Sequence, residues 1–166
     1  MAWVVILLFA GVGVSAEVKA AKASLVNGKG DSVGTAQLKE TAKGVSLTLA
    51  VTNLPAGVHG FHIHAVGKCE PPDFKSAGGH FNPEAKKHGW DNPEGHHLGD
   101  LQNLTVDAQG KGKTKVQVPG VTLREGSNSL FQPGGTALVI HADPDDMKTD
   151  PAGNAGARIA CGVITK

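Results

Sequence analysis

Strict alternation of apolar and small residues between positions 45 and 52 is the feature that most constrains the fold. Successive side chains of a β-strand point to opposite faces, so a period of two predicts a strand with one buried face. No helical period persists through three turns in this sequence. The apolar positions of the segment are Val45, Leu47, Leu49 and Val51.

Seven further segments show a similar strand-like pattern, and turn-forming pairs such as Asn27-Gly28 and Gln109-Gly110 separate them. Eight short strands joined by turns predict an all-β fold, either an antiparallel sandwich or a barrel. The other segments lie near residues 18–26, 33–40, 59–66, 101–107, 113–118, 136–141 and 157–164.

The composition is that of one globular domain, and it excludes some classes of partner. Apolar residues make up 40% of the chain and charged residues 19%, so the chain is not predicted to be disordered. The net charge is +1 and no long basic run occurs, so a nucleic-acid partner is not predicted. Since no internal repeat or second domain is visible, we assign residues 17–166 to a single domain.

The first residues of the chain, MAWVVILLFAGVGVSA, form a separate segment. Its apolar run, from Trp3 to Val14, is too short to span a bilayer comfortably, so no stable membrane span is predicted. The small-residue ending Val14-Ser15-Ala16 is typical of a signal-peptidase site. We therefore expect residues 1–16 to be a cleaved export signal, although no Lys or Arg precedes the run. A strand or helix of the core is the alternative.

The chain has two cysteines, Cys69 and Cys161. In an exported protein a single pair predicts a disulfide, whereas two unrelated buried thiols would fit a cytosolic protein better. Neither cysteine has the close cysteine neighbour that a structural zinc site uses, which argues against a thiolate metal site.

Two long segments, residues 67–99 and 142–156, lack any periodicity and are rich in Gly, Pro, Asn and Asp. Loops of this length in a compact domain are usually functional or disordered. Seven of the eight histidines lie between residues 59 and 97, which favours function.

His62 and His64 are the first clue to that function, because residues two apart on a strand point to the same side. Two imidazoles on one face can bind one metal ion, although the pair alone equally fits two hydrogen-bonded, half-buried histidines. The following loop adds nitrogen and oxygen donors of the kind that zinc and copper bind. These further candidates are His80, His88, His96, His97 and Asp100, with His141 at the end of a later strand.

Five motifs follow one another along the chain: GFHIHAVGKC, SAGGHFNP, HHLGDL, ALVIHADPDD and GNAGARIACGVI. In this order they make the chain resemble copper–zinc superoxide dismutases from about residue 20 to the end. The His-x-x-Gly-x-Cys spacing from His64 to Cys69 is similar to the exported, periplasmic branch of bacterial members.

The resemblance implies an eight-stranded Greek-key β-barrel, or flattened sandwich, with two long functional loops. It implies one copper and one zinc per subunit, with His80 shared between them, and a disulfide between Cys69 and Cys161. Asp145 would link a copper histidine, His62, to a zinc histidine, His88. The implied copper ligands are His62, His64, His80 and His141, and the implied zinc ligands are His80, His88, His97 and Asp100.

The implied activity is the dismutation of superoxide to dioxygen and hydrogen peroxide by one-electron cycling of the copper, an antioxidant role outside the cytoplasm. Arg158 would attract and orient the anion at the mouth of the copper site, and His80 would take up and return a proton. The loop from Asp143 to Ala157 lacks the paired glutamates common in eukaryotic members, so other charges would steer the substrate. Candidates, each of which also fits solvated surface, are Lys68, Lys75, Lys86, Lys87 and Lys148.

Some alternatives stay open at the level of sequence. His96 and His59 are interpreted as non-ligands, because the His-x-Gly-Asp register selects His97 and because His59 points away from His62. A metal carrier or zinc-only structural protein of the same fold would be a non-enzymatic alternative, but such relatives typically lack a copper histidine or the arginine. Members occur as homodimers and monomers, and the destination is either a periplasm or the extracellular space.

Overall fold

A computed structural model describes residues 19–166 and contains nine strands and one short 3-10 helix, Lys75–Ala77. The predicted export signal, residues 1–16, lies outside the described residues. The strands are β1 (Ala20–Asn27), β2 (Ser32–Thr41), β3 (Gly44–Val51), β4 (Gly57–His59), β5 (Phe61–His64), β6 (Leu104–Val106), β7 (Gly112–Val118), β8 (Ala137–His141) and β9 (Arg158–Val163).

All nine strands belong to one antiparallel sheet with the order β4-β6-β7-β3-β2-β1-β9-β8-β5. The two strands at its ends, β4 and β5, are consecutive in the chain, so the sheet curls into a nearly closed barrel. Long connections bring β7 beside β3 and β9 beside β1. The predicted all-β, antiparallel barrel is confirmed.

The strand count differs from the prediction because the segment 59–66 divides at Gly60. The N–H of Gly60 donates to the carbonyl of Asp143 at 2.9 Å, and its own carbonyl accepts from the N–H of His141 at 2.8 Å. A Cβ at this position would lie 3.0 Å from the Cβ of Ala155. At Gly60 the chain therefore stops pairing with β6, the partner of β4, and begins to pair with β8, the partner of β5. A side chain at this position would crowd Ala155.

The barrel interior is filled by the inward-facing apolar side chains of the strands, as the alternation predicts. Leu47 and Leu49 of β3 are fully buried, and Phe61 and Ile63 of β5 join the same core. Because Phe61 and Ile63 point inward, the intervening His62 and the following His64 lie on the other face of β5.

A second, smaller apolar cluster lies outside the barrel and holds down the loop after β5. Phe74 and Ala77 of that loop are fully buried against Val139 of β8. Beside them, Cys69 and Cys161 form a disulfide, which confirms the predicted bond and joins the loop to β9. The part of the loop that precedes His80 is thus fixed by apolar burial and by one covalent link.

Within residues 19–166, no helix has the length and hydropathy that a bilayer crossing requires.

Candidate metal centre

Four histidine side chains converge beside β5 and β8. His62 and His64 come from β5, His141 ends β8, and His80 reaches them from the long loop. One ring nitrogen from each lies within 4.8 Å of the others. We call this set, His62, His64, His80 and His141, the predicted copper group.

A backbone bridge explains why His80 arrives there from a loop. Residue 80 pairs with His64, and Asp100 pairs with His62, as isolated antiparallel bridges. The amide of Phe81 donates to the carbonyl of Ile63 at 2.8 Å, and the amide of Ile63 donates to the carbonyl of Gly99 at 2.9 Å. The loop therefore contributes two short extended stretches that run along β5.

Three histidines and an aspartate form a second group that shares His80 with the first. One oxygen of Asp100, Oδ1, lies 2.8 Å from Nδ1 of His80, 3.0 Å from Nδ1 of His88 and 3.2 Å from Nδ1 of His97. The backbone amides of Gly89 and His97 donate to the other oxygen, Oδ2. We call this set, His80, His88, His97 and Asp100, the predicted zinc group, whose four donor atoms also lie within 4.8 Å of one another.

Two buried ring nitrogens in the predicted copper group, Nδ1 of His62 and Nε2 of His80, have no hydrogen-bond partner within residues 19–166. Buried polar atoms are nearly always hydrogen-bonded, so each unpartnered one requires an explanation. An imidazole nitrogen with a free lone pair is a metal ligand, and copper and zinc both accept imidazole. The donor set and these atoms therefore fit a copper ion beside a zinc ion, with His80 between them.

The ring nitrogens that do not face the copper position are held by other groups of the chain. Nε2 of His62 lies 2.7 Å from Oδ2 of Asp145, and Nδ1 of His64 lies 2.9 Å from the carbonyl oxygen of Gly78. Nδ1 of His141 lies 3.2 Å from the carbonyl oxygen of Gly156. Such partners fix the orientation and the tautomer of metal-binding imidazoles.

Asp145 connects the two groups. Its Oδ2 contacts His62, and its Oδ1 lies 3.1 Å from Nε2 of His88, so one buried carboxylate orients a histidine in each group. Its backbone in turn exchanges two hydrogen bonds with the side chain of Asn103. Sequence reasoning missed Asn103, because an asparagine three residues after Asp100 carries no chemical signal.

A second contact between the loops also escaped prediction. Asp150 accepts a 2.7 Å hydrogen bond from the backbone N–H of His88, and it lies 3.8 Å from the ammonium nitrogen of Lys87. The loop that carries Asp145 is thus joined at Asp150 to the loop that carries the predicted zinc ligands. Only the tertiary structure brings His88 and Asp150, which are 62 positions apart, into contact.

Burial controls the protonation of the predicted copper group. It lowers the pKa of His62 to about 3, that of His64 to about 2 and that of His141 to about 4. Their rings are therefore neutral near pH 7, and their lone pairs are available to a cation.

In the predicted zinc group, the pKa of His88 is shifted in the opposite direction. Burial alone would lower the pKa of His88, but hydrogen bonds to Asp100 and Asp145 outweigh burial and raise it to about 9. Although burial opposes ionisation of both carboxyls, their histidine partners hold the pKa values of Asp100 and Asp145 well below the ordinary range. The ionised carboxylates of Asp100, within the predicted zinc group, and of Asp145, beside His88, would therefore offset the charge of a divalent ion bound there.

Arg158 begins β9 opposite His141 of β8. Its Nη1 donates to the carbonyl oxygen of Phe74 at 2.7 Å, and its Nη2 donates to that of Gly78 at 2.6 Å. The same oxygen of Gly78 contacts His64, so the guanidinium lies one carbonyl group away from the predicted copper group.

The two histidines that we interpret as non-ligands lie outside all metal-binding groups found among the described residues. The ring of His96 stacks on Trp90, with centroids 4.4 Å apart, and its Nδ1 lies 2.8 Å from the carbonyl oxygen of His97. His59 is buried, and its two ring nitrogens lie 2.9 Å from the carbonyl oxygens of His141 and Pro55.

A family model and a curated relative both match the chain to one protein family. A family model described as copper/zinc superoxide dismutase matches residues 32–164. The protein named superoxide dismutase [Cu-Zn] 1 from Aquifex aeolicus is 58% identical over 144 residues, which are 86% of this chain and 85% of that protein.

Solved structures agree. The crystal structure of a SOD-like protein from Bacillus subtilis superposes with a TM-score of 0.83 at 43% identity, over 86% of this chain and 96% of that one. The Cu/Zn superoxide dismutase from Brucella abortus superposes with a TM-score of 0.71 at 30% identity, over 89% of this chain and 100% of that one.

Proposed function

The chain belongs to the copper/zinc superoxide dismutase family, and we propose that it is an exported superoxide dismutase with copper and zinc at its two donor groups. The family model spans most of the chain, and the Aquifex relative aligns over 86% of it. The observation that carries the proposal is the position of His80, whose Nδ1 faces Asp100 while its buried Nε2 has no hydrogen-bond partner in the described part of the chain. One imidazole is thus placed between two donor sets.

Copper would be held by His62, His64, His80 and His141, and zinc by His80, His88, His97 and Asp100. When bound, copper supplies reversible one-electron exchange with superoxide, and zinc supplies a fixed positive charge beside His80.

The overall reaction consumes two superoxide anions and two protons and yields one dioxygen and one hydrogen peroxide. One superoxide is oxidised and the other is reduced, so the second half of the cycle must deliver protons to the site. His80 is placed to hold and return one of these protons at Nε2, the atom that has no hydrogen-bond partner in the described structure. Its Nδ1 faces Asp100, the other member of the predicted zinc group, so a zinc ion held by both residues would keep the ring in place while Nε2 takes up and returns the proton.

Arg158 binds and orients the anion. Hydrogen bonds to Phe74 and Gly78 use one N–H from each of its two terminal nitrogens, and Arg158 as a residue is partly exposed. Arginine carries five N–H groups in a planar fork and remains charged at all physiological pH values. The remaining N–H groups therefore offer a permanently charged binding surface for a small anion.

Export outside the cytoplasm is the finer part of the proposal. The disulfide between Cys69 and Cys161 supports it, because such bonds persist mainly in oxidising compartments. The apolar segment that ends in Ala16 would direct the export and would be removed after this residue. N-terminal sequencing of the protein recovered from the periplasm or the medium tests this, and a cytoplasmic chain that begins at Met1 would contradict it.

The activity is tested by pulse radiolysis of residues 17–166 loaded with one copper and one zinc. We expect fast catalytic decay of superoxide that depends on ionic strength and disappears when copper is removed. Absence of catalytic decay with copper verified at the site would reject the enzyme and favour the metal carrier. As a control, protein loaded with zinc alone should leave the rate of superoxide decay at its uncatalysed value.

A further inference from the structure

We infer that the outer face of β1, β2, β3 and β7 docks the protein on an anionic phospholipid membrane. Pairing of the four strands collects lysines from distant parts of the chain on this face. None of these strands contributes a donor to the metal-binding groups found within residues 19–166. The inference therefore concerns a surface apart from the proposed active site.

The register of the four strands places their outward side chains in three rows of four residues. Each row crosses the sheet in the order β1, β2, β3, β7. The alternate residues of these strands face the barrel interior, so the rows face solvent. We call these rows the lysine face; they are Ala20, Lys39, Ser46 and Gln117, then Lys22, Gln37, Thr48 and Lys115, and then Ser24, Thr35, Ala50 and Lys113.

The lysine face carries positive charge alone. Its charged residues are Lys22, Lys39, Lys113 and Lys115, and all four are exposed. Within residues 19–166 none of these four lysines forms an ion pair.

Glu40 is the one acidic residue inside the described bounds of these four strands, and it does not neutralise the face. Its carboxylate accepts hydrogen bonds from Thr122 and from the N–H of Leu123, and its side chain is only 10% exposed. The lysines are therefore left without a counter-charge on their own surface.

The opposite side of the barrel is acidic. Residues 67–99 contain five acidic residues and four lysines, and residues 142–156 contain four acidic residues and one lysine. These loops lie at the predicted metal groups beside β5 and β8. Because β3 is four or five strands away from β5 in either direction around the barrel, the lysine face points away from those loops. A chain with a net charge of +1 is thus divided into a basic side and an acidic side.

The arrangement of the lysines fits a plane of negative charge. Neighbouring strands lie about 4.8 Å apart and residues two apart on a strand lie about 7 Å apart, so the rows cover a patch about 14 Å on each side. The lysines occupy all three rows and three of the four strands, whereas a single polymer chain would follow one line. Since these spacings are close to a Debye length of about 10 Å, the four charges act together on one anionic surface.

The neutral residues of the lysine face also favour a lipid surface. They are Ala, Ser, Thr and Gln, with no aromatic or large apolar side chain among them. Insertion into the acyl region and the apolar core of a stable protein interface both require such side chains. The attraction is therefore electrostatic and reversible, and it would turn the acidic loops and the predicted metal groups toward the solution.

The test is co-sedimentation of the copper- and zinc-loaded protein, residues 17–166, with vesicles. At low ionic strength we expect binding to vesicles of phosphatidylcholine and phosphatidylglycerol, and none to vesicles of phosphatidylcholine alone. Each lysine-to-glutamine substitution on the lysine face should lower the partition coefficient about fivefold, the effect of one basic residue near an anionic surface. The substitutions, made singly and together, are Lys22→Gln, Lys39→Gln, Lys113→Gln and Lys115→Gln.

A matched fourfold control removes exposed lysines of the two loops and changes the net charge of the chain equally. It should bind the anionic vesicles nearly as wild type does, whereas the fourfold variant of the lysine face should not bind. Urea midpoints near wild type in both proteins would show that unfolding does not cause the difference. Equal partition coefficients in the two fourfold variants would overturn the inference. The control substitutions are Lys68→Gln, Lys86→Gln, Lys87→Gln and Lys148→Gln.

Salt dependence provides a test that needs no variant. Vesicle binding should vanish at an ionic strength of about 1 M, where the Debye length is about 3 Å, and binding that survives would reject the electrostatic surface. Immobilised dextran sulfate separates a membrane from a soluble polyanion, because protein that binds this polymer but not anionic vesicles would overturn the membrane as partner. None of these readouts uses turnover, so they decide the inference whether or not the chain dismutates superoxide.

Discussion

Asn103 and Asp145 exchange two hydrogen bonds of 2.9 Å, in which the Asn103 amide donates to the Asp145 carbonyl and accepts from the Asp145 N–H. The reciprocal contact fixes the backbone of the residue whose carboxylate orients His62 and His88. An asparagine whose side-chain hydrogen bonds within residues 19–166 go to Asp145 thus helps to orient two predicted ligands.

Removal of this contact should weaken both metal sites. For Asn103→Ala we expect the affinities for zinc and copper to fall by about 10- to 100-fold, the effect typical of groups that orient metal ligands. Competition with a chromophoric chelator measures each affinity. Gln102→Ala changes the exposed neighbouring residue and serves as control; equal affinities in the two variants would show that Asp145 keeps its place without Asn103.

His141 belongs to the predicted copper group alone, whereas His80 belongs to both groups. His141→Ala should therefore abolish dismutation and copper binding at this site while zinc stays at one ion per chain. Metal analysis after dialysis, together with the rate of superoxide decay, checks this. His96→Ala is the matched histidine control and should retain both metals, since His96 stacks on Trp90. Loss of zinc along with copper in His141→Ala would mean that the donor sets are divided wrongly.

Arg158 is held by two carbonyl oxygens and is not itself a metal donor. Arg158→Ala should keep both metals, slow the turnover and flatten the dependence of the rate on ionic strength, because a fixed positive charge is lost. Arg158→Lys should recover part of the rate, since it restores the charge without the planar fork. An unchanged rate in Arg158→Ala would exclude a role in anion binding.

The disulfide should support both stability and activity. Cys69 and Cys161 are 92 residues apart, and loss of a native disulfide typically costs about 2–5 kcal/mol. The Cys69→Ser/Cys161→Ser double variant should unfold at lower urea concentration. It should also turn over more slowly at equal copper content, because Phe74 and Gly78, the partners of Arg158, lie in the loop that the bond anchors. Urea titrations and decay rates of the two proteins test both parts.

The metal-free protein should lose stability as the pH falls below about 6.5. His62, His64 and His141 have folded-state pKa values of about 3, 2 and 4. Between pH 6.5 and 4 these histidines are therefore protonated in the unfolded chain and neutral in the folded chain. Each group lowers the free energy of unfolding by up to about 1.4 kcal/mol per pH unit in that window.

His88 does not oppose this trend. Its pKa is raised to about 9, so it is protonated in both states below pH 6.5, and its contribution to stability is lost progressively as the pH rises from 6.5 through 9. Urea unfolding of the metal-free protein at pH 7 and pH 4.5 measures the effect. Equal midpoints at the two pH values would mean that the buried histidines take up protons without unfolding.

Much of the fold was predictable because its signal is local. The alternation from Val45 to Val51 fixes which side chains enter the barrel, since a strand has only two faces. The position of His62 and His64 on the opposite face from Phe61 and Ile63 follows from the same rule. The family motifs then indicated which histidines would meet.

Other features depend on contacts between residues far apart in the chain, so only the tertiary structure decides them. The division of one predicted strand at Gly60 depends on hydrogen bonds to Asp143 and His141, more than 80 positions away. The clamp of Asn103 on Asp145 and the contact of Asp150 with His88 join side chains to distant backbone groups. Sequence by itself determined the strands and indicated which histidine and aspartate side chains would meet, because side-chain alternation and donor chemistry are properties of single segments. The packed loops decided how those donors are oriented and which charges surround them. Nearly every residue has the same backbone N–H and carbonyl groups, so the sequence does not indicate which of them will contact a donor.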